Sequence, residues 1–328
     1  MPATLLSSTL TVPTQLLRVT AVQEIAPGIR SFEFSAADGS ELPEWTPGAH
    51  VDVHLPSGKI RQYSLCGDPE HRSVYRIAVL EVCEGRGGSA EMHRAVAAGG
   101  ELRLGIPRND FPVVPAPAYV FVAGGIGITP ILAMIREVAA AGRPWKLVYG
   151  ARSEAHLAFR AELDSLAATS WGMITYVPQD TAGHMDLSQI VRDSAGQSVY
   201  CCGPGPLMDA LGSEMRAQGR HTELRLERFS ADPVQLREGT ESFRVELSES
   251  GLTVDVTPGT SVLEAIRAAG VAVASSCEMG ICGTCETRVI AGEIEHHDSI
   301  LTEAERAAGN VMMICVSRAS SAGLVLAR

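Results

Sequence analysis

The sequence predicts three domains of different class in one 328-residue chain: an antiparallel β-barrel, an α/β domain around a parallel sheet, and a small α+β domain at the C-terminal end. Three observations predict this. Residues 15–112 alternate apolar and polar positions in short runs broken by Gly and Pro. From Ala118 the rhythm becomes apolar strand, turn and helical spacing, repeated. After a polar stretch at 231–240 come a hairpin pattern, a helix and a group of cysteines. The predicted domains are 14–112, 113–230 and 241–328, with 231–240 as linker.

In the first region, residues 16–22, 30–34, 50–55, 61–66 and 74–81 read as strands, and 90–98 as a short helix. Closely spaced strands with few helices favour an antiparallel barrel. In the second, strands at 119–123, 146–149, 174–177, 198–202 and 221–226 alternate with helices at 130–141, 156–168 and 206–218. That alternation means a parallel sheet covered on both faces. In the third, 243–247 and 252–256 flank 248–251 as a hairpin. A helix at 261–269 follows Pro258-Gly259 and stops at Gly270.

With 38 acidic and 27 basic residues the net charge is −11, which makes the chain a poor candidate for non-specific nucleic-acid binding. The acidity is uneven. Residues 241–328 hold 12 acidic and 6 basic residues, a net of −6; the first 240 hold 26 and 21, a net of −5. The third domain is therefore the more negative per residue, either as a solvated surface or as a steering face for a basic partner protein. No run of 18 apolar residues suggests a membrane span, and 1–13 lacks the basic start and apolar core of a signal peptide. The expected location is the cytoplasm, where thiols stay reduced, so at least some of the eight cysteines call for metal or catalytic roles.

Cys277, Cys282 and Cys285 have the spacing C-x4-C-x2-C, and Cys315 follows 30 positions later. This is the spacing of plant-type [2Fe–2S] clusters, in which one tight loop supplies three thiolates and a distant segment the fourth. Gly280 and Gly283 allow such a loop to curl, and Met279 and Ile281 can shield it from water. Structural zinc would favour paired C-x2-C knuckles, of which there is one. Cys66, Cys83 and Cys201 read as buried small hydrophobes.

Gly124, Gly125, Gly127 and Thr129 lie in a turn between an apolar strand and a helix that opens at Pro130. Alone, this is a nucleotide-binding turn or simply a tight one. Two further strand ends carry turns able to approach a ligand: Gly150 and Arg152 after the second strand, and Cys202-Gly203-Pro204 after the fourth. Open parallel sheets bind nucleotides at those ends, with the pyrophosphate on a helix N-terminus. On the barrel, Arg61, Gln62, Tyr63 and Ser64 read as a strand, with Tyr63 able to stack on a ring system and Ser64 to donate to a ring nitrogen. Gly85, Arg86, Gly87, Gly88 and Ser89 form a phosphate cradle before a helix. Each piece alone is an ordinary strand or loop. Together with a two-electron hydride donor and a one-electron cluster, they call for a flavin between the two.

In this order the motifs resemble those of the phthalate dioxygenase reductase family, which includes the vanillate O-demethylase reductases. The resemblance runs from about Gln15 to the end of the chain. Its flavin motif R-x-Y-S is matched by Arg61, Tyr63 and Ser64, its G-R-G-G-S loop by Gly85 to Ser89, and its C-G-P motif by Cys202, Gly203 and Pro204. A Glu-x-Phe is matched by Glu227 and Phe229, and all four cluster cysteines match. The resemblance implies a β-grasp ferredoxin as third domain, FMN rather than FAD, and NADH rather than NADPH, although Arg152 keeps a 2′-phosphate open. It implies Ser64, Cys202 and Phe229 as the residues around hydride transfer, with Phe229 stacked near the flavin until nicotinamide displaces it. It also implies a monomer whose partner is a terminal Rieske-type oxygenase acting on an aromatic acid or similar small molecule. Hydride transfer needs positioning rather than acid–base help, so the nine histidines need no catalytic role: His50 and His93 are read as structural, and His296 and His297 as surface residues rather than metal ligands. The competing readings are a stand-alone flavin or quinone reductase and a redox-sensing iron–sulfur flavoprotein.

Overall fold

The computed structural model describes residues 13–82, 87–229, 241–275, 277–281 and 283–328. The chain divides into two compact units, Pro13–Phe229 and a C-terminal one reaching Arg328. The expected linker at 231–240, Cys83 and the tail before Pro13 lie outside the described residues.

The first unit opens with β1 (Thr14–Ala26), β2 (Ile29–Ser35), β3 (His50–His54), β4 (Ile60–Ser64) and β5 (Tyr75–Leu80), then α1 (Gly88–Ala95) and β6 (Glu101–Gly105). They form one antiparallel sheet of order β4-β3-β6-β1-β2-β5. A bridge between Leu65 and Ile77 brings its two ends together and closes the barrel. Phe32, Phe34, Val51, Val53, Leu65, Tyr75 and Ile77 fill the interior and are essentially inaccessible. The strand β6 was not foreseen: it is five residues long, with only Leu102 and Leu104 turned inward. So short an alternation cannot be told from a loop until β1 and β3 pair with it on either side.

The same unit continues with β7 (Tyr119–Gly124), α2 (Ile128–Ala140), β8 (Trp145–Ala151), α3 (Arg160–Ala168), β9 (Gly172–Pro178), α4 (Gln179–Ala182), α5 (Leu187–Asp193), β10 (Ser198–Cys202), α6 (Gly205–Ala217) and β11 (Leu224–Glu227). The five strands are parallel in order β11-β10-β7-β8-β9. The helix expected at 156–168 starts at Arg160 instead. Phe159 takes the left-handed conformation (φ 62) and its buried ring lies under the Arg76 guanidinium, 5.2 Å away. The expected strand at 221–226 is a single 3-10 turn, His221–Glu223, followed by β11. The helix α5 also escaped the sequence pattern. It is seven residues long and buries only Val191, and its start is held by the Asp186 carboxylate accepting from the Gln189 N–H. Barrel and sheet share a core in which Ile29, Cys66, Ala78 and Phe111 pack with Tyr119, Phe121 and Tyr149. Glu162 on α3 takes Arg76 of β5 at 2.6 Å and also pairs with Arg136 of α2. The strand ends of the sheet are thereby held in place against the barrel.

The second unit contains β12 (Phe243–Leu247), β13 (Leu252–Val256), α7 (Val262–Ala268), β14 (Glu286–Ala291), β15 (Ile294–Glu295), α8 (Glu303–Ala308), β16 (Val311–Met313), β17 (Arg318–Ala319) and β18 (Gly323–Leu326). The hairpin β12–β13 and the helix α7 stand where the pattern predicted them, and a Ser261–Glu264 capping box starts the helix. The sheet order is β13-β12-β18-β14-β16, with β12 and β18 parallel. Val262, Leu263 and Ile266 of α7 pack on it, giving the grasp-like α+β fold. His296, expected on the surface, is a correction. Its side chain is 10% exposed, with Nδ1 3.3 Å from Oδ1 of Asp298. Asp298 is itself buried and accepts the Leu301 N–H at 2.9 Å. A buried carboxylate must be satisfied, and His296 is part of how it is.

Candidate functional site

On the barrel, β4 is bonded to β3 in the register Ser64↔His50, Tyr63↔Val51, Gln62↔Asp52 and Arg61↔Val53. Ser64 is buried and Tyr63 is half-buried against the barrel core. Arg61 crosses the start of α1: a Cβ on Gly88 would stand 2.6 Å from Arg61 Cγ and Nε. Gly87 caps the helix with φ 77. The Arg61 side chain therefore lies beside the first turn of α1, whose leading N–H groups no helical carbonyl can reach, and this arrangement suits a phosphate. Ser89 accepts the Val82 N–H at 3.0 Å, which ties the two ends of the loop together. Gly85 and Arg86 lie outside the described residues.

Beside Ser64 stands a buried polar group that the sequence did not single out. Arg108 grips both oxygens of Asp52, at 2.9 and 3.1 Å, and His50 contacts Gln62 Nε2 at 3.3 Å. Burial first, and the Arg108 charge second, hold the His50 imidazole below its ordinary pKa, so it is neutral near pH 7. Nothing in a one-dimensional pattern links Asp52 to a partner 56 positions on. His93, by contrast, is structural: it is buried, with Nε2 2.8 Å from the Val79 carbonyl.

On the sheet, the carboxyl ends of β7, β8 and β10 come level, with Gly124 opposite Gly150 and Ala123 opposite Cys202. Here the glycines are required by contact. A Cβ on Gly127 would lie 2.2 Å from the Cys202 carbonyl oxygen, one on Gly203 3.0 Å from Gly124 Cα, and one on Gly124 2.6 Å from Pro204 Cδ. Two turns thus meet backbone to backbone. Gly125 adds a left-handed φ of 53 with open space around it. The Thr129 hydroxyl donates to the Ile126 carbonyl at 3.0 Å, so this buried side chain closes the turn from inside. Arg152 is exposed at the end of β8. Phe229 lies two residues beyond β11, half-buried against the core that barrel and sheet share.

Glu227 pairs with Cys202 across β10 and β11, and its Oε2 is buried with no hydrogen-bond partner. Burial, and then the charge of Asp110, push its carboxyl up to about 8. Burial and the carboxylate beside it push the Cys202 thiol well above its ordinary value. Cys202 is thus a neutral, unreactive thiol, suited to packing against a ring. The Asp110 charge acts on both His50 and Glu227, partly opposing the depression of the first and adding to the rise of the second, so barrel and sheet residues share one electrostatic site. A test follows from Glu227. Below pH 4.5 both the folded and the unfolded chain hold this proton. Between 4.5 and 8 only the folded chain does, so stability falls with rising pH, and the full loss is present above 8. Glu227→Gln is expected to flatten that slope, by on the order of 5 kcal/mol across the whole window. Thermal melts from pH 6 to 9 should show the variant gaining Tm on the wild type as pH rises; parallel curves would refute it.

In the second unit, Cys277, Cys285 and Cys315 are buried. The Cys315 thiol is raised by a hydrogen bond with Cys285, then by burial and the neighbouring Cys285 and Cys277 sulfurs, while the Gly280 N–H opposes this. The Met279 N–H points at Cys277 Sγ, 3.3 Å away. Crowded buried sulfurs with N–H donors aimed at them are a poor arrangement for free thiols and a good one for thiolates on a cation. Among the described residues no three His, Cys, Asp or Glu side chains are set to hold a single metal ion. A binuclear cluster does not require it, since each iron takes two thiolates. Cys282 lies outside the described residues. The residues fit a [2Fe–2S] group. The orphaned Glu227 oxygen and the Arg61–Gly88 cradle fit a nucleotide and a flavin phosphate in the first unit.

Comparison with known proteins agrees with this geometry. Residues 245–320 match the 2Fe-2S iron-sulfur cluster binding domain and 121–212 the oxidoreductase NAD-binding domain. The phthalate 4,5-dioxygenase oxygenase reductase subunit of Pseudomonas putida is 41% identical over 313 residues, covering 94% of this chain and 95% of that protein. The chain belongs to the phthalate dioxygenase reductase family. A solved phthalate dioxygenase reductase, described as a modular structure for electron transfer from pyridine nucleotides to [2Fe-2S], superposes with a TM-score of 0.75. It is 38% identical, covering 96% of this chain and 98% of that one. An intact type IV self-sufficient cytochrome P450 monooxygenase gives a TM-score of 0.81 at 41% identity, covering 95% of this chain and 41% of that one. As a member of the phthalate dioxygenase reductase family, the chain is an oxidoreductase with a flavin-type barrel, a nicotinamide-binding sheet and a [2Fe–2S] domain.

Proposed function

We propose that the chain is the reductase component that supplies electrons from NADH to a Rieske-type oxygenase acting on an aromatic acid or similar small molecule. The observation that carries this is the coexistence, in one chain, of a nucleotide turn built on backbone contact and a buried set of cluster cysteines. When bound, FMN supplies the change from two-electron to one-electron chemistry. Arg61 and the first turn of α1 hold its phosphate. Ser64 and Phe229 orient its ring. Gly124, Gly125, Gly127, Gly150, Gly203 and Pro204 admit the nicotinamide nucleotide, and Cys202 packs as a neutral thiol beside it. Cys277, Cys282, Cys285 and Cys315 hold the cluster. Among the described residues no helix is long and apolar enough to cross a membrane. A cytoplasmic site of action accords with the thiol ligands.

The similarity to a self-sufficient P450 favours a second reading, in which the acceptor is a haem monooxygenase. Purified chain should release FMN, contain two irons and two sulfides, bleach with NADH faster than with NADPH, and drive turnover of a Rieske oxygenase. Turnover of a P450 alone would select the second reading. Rapid NADH oxidation without delivery to either would leave a stand-alone flavin reductase.

A further inference from the structure

The loop that carries Cys277 contains a strained residue. Glu278 has φ 54, one of two described non-glycine residues in the left-handed region. L-residues resist this conformation because Cβ crowds the following carbonyl. Something must hold it, and two side chains, Arg267 and Ser275, do. Arg267, in the last turn of α7, donates to Glu278 Oε1 at 2.8 Å, to Ser275 Oγ at 2.5 Å and to the Val273 carbonyl at 3.2 Å. Ser275 in turn donates to the same Glu278 oxygen at 2.9 Å. The next backbone N–H, that of Met279, points at Cys277 Sγ. Both charged side chains are 41% exposed, so the ion pair adds little stability. Its position at the one strained residue among the described residues of the cluster loop calls for a different role.

We infer that Arg267 is a positioning residue for the cluster. Through Ser275 and Glu278 it keeps residue 278 left-handed, which aims the Met279 N–H at the Cys277 sulfur and holds the reduction potential up. An N–H aimed at a ligand sulfur stabilises the negative charge that a one-electron reduction adds, and hydrogen bonds of this kind are among the features that set cluster potentials. The inference rests on the cluster assignment made above.

The test is a spectroelectrochemical titration of the full chain, followed in the visible and by low-temperature EPR. Arg267→Ala is expected to shift the cluster about tenfold toward its oxidised form, about 59 mV lower for a one-electron couple. Glu278→Ala removes the opposite charge and is expected to shift it the same way, because it breaks the same clasp. Through-space electrostatics alone predicts opposite signs, so a rise in Glu278→Ala overturns the inference, as do unchanged potentials in both. Should an alanine variant lose its cluster, Glu278→Gly decides. Glycine adopts this φ unaided, so in that background Arg267→Ala is expected to have no effect on the potential; a continued tenfold drop overturns the clasp. A wild-type chain with no [2Fe–2S] spectrum is a separate outcome and defeats the cluster assignment itself.

Discussion

Gly127→Ala is expected to slow NADH-dependent reduction about 100-fold while leaving the iron content unchanged. The added methyl would stand 2.2 Å from the Cys202 carbonyl oxygen and 2.4 Å from its carbon. Both obstacles are backbone, and Gly127 itself lies on a helical turn, so no side chain can swing aside. The two turns must part by about 1 Å, and a misplacement of that size costs on the order of 100-fold in a reaction that depends on positioning. Gly142→Ala, in the turn after α2, is the control. It meets nothing within 4 Å and bears only the conformational cost of φ 64, about 1–2 kcal/mol. Stopped-flow reduction by NADH should separate the two variants clearly. Equal rates would mean that the contact between the turns does not position the nicotinamide.

Cys315→Ala is expected to abolish delivery to one-electron protein acceptors, by more than about 100-fold, while NADH-driven dye reduction stays within about threefold. Cys315 comes from the segment between β16 and β17, far along the chain from Cys277 and Cys285, and its sulfur lies against theirs. The cluster would lose the ligand that ties its loop to the sheet. Its electron-transfer partners would then have no path through the second unit, whereas the glycine turns and Arg61 in the first unit are untouched. Visible spectra and iron assays would report cluster loss. Cytochrome c reduction at the wild-type rate would show that electrons leave without passing through the cluster.

These expectations draw unequally on what could be read in advance. Most strands of barrel and sheet were legible from a period-2 or continuous apolar run bounded by Gly or Pro, as in 119–124. The hairpin β12–β13 and the helix α7 were legible from turn and cap residues. The strand β6, the helix α5 and everything after α7 except the cysteines were not. These elements are short, and their stability comes from neighbours distant in sequence, such as β18 pairing with both β12 and β14. His296 was misjudged for the same reason: Asp298, two residues on, is buried only once the cluster loop and the segment after β16 close over it.

The sequence by itself carried the spacing of the four cysteines, the glycine-rich turns at the strand ends and the order of barrel, parallel sheet and α+β unit. Each is a local pattern whose chemistry demands particular residues at particular spacings. Tertiary structure alone decided which groups share the site. It placed Asp52 against Arg108, Asp110 within electrostatic reach of both His50 and Glu227, and Arg267 on the strained Glu278. Burial and charge coupling act through space, and no spacing along the chain encodes them.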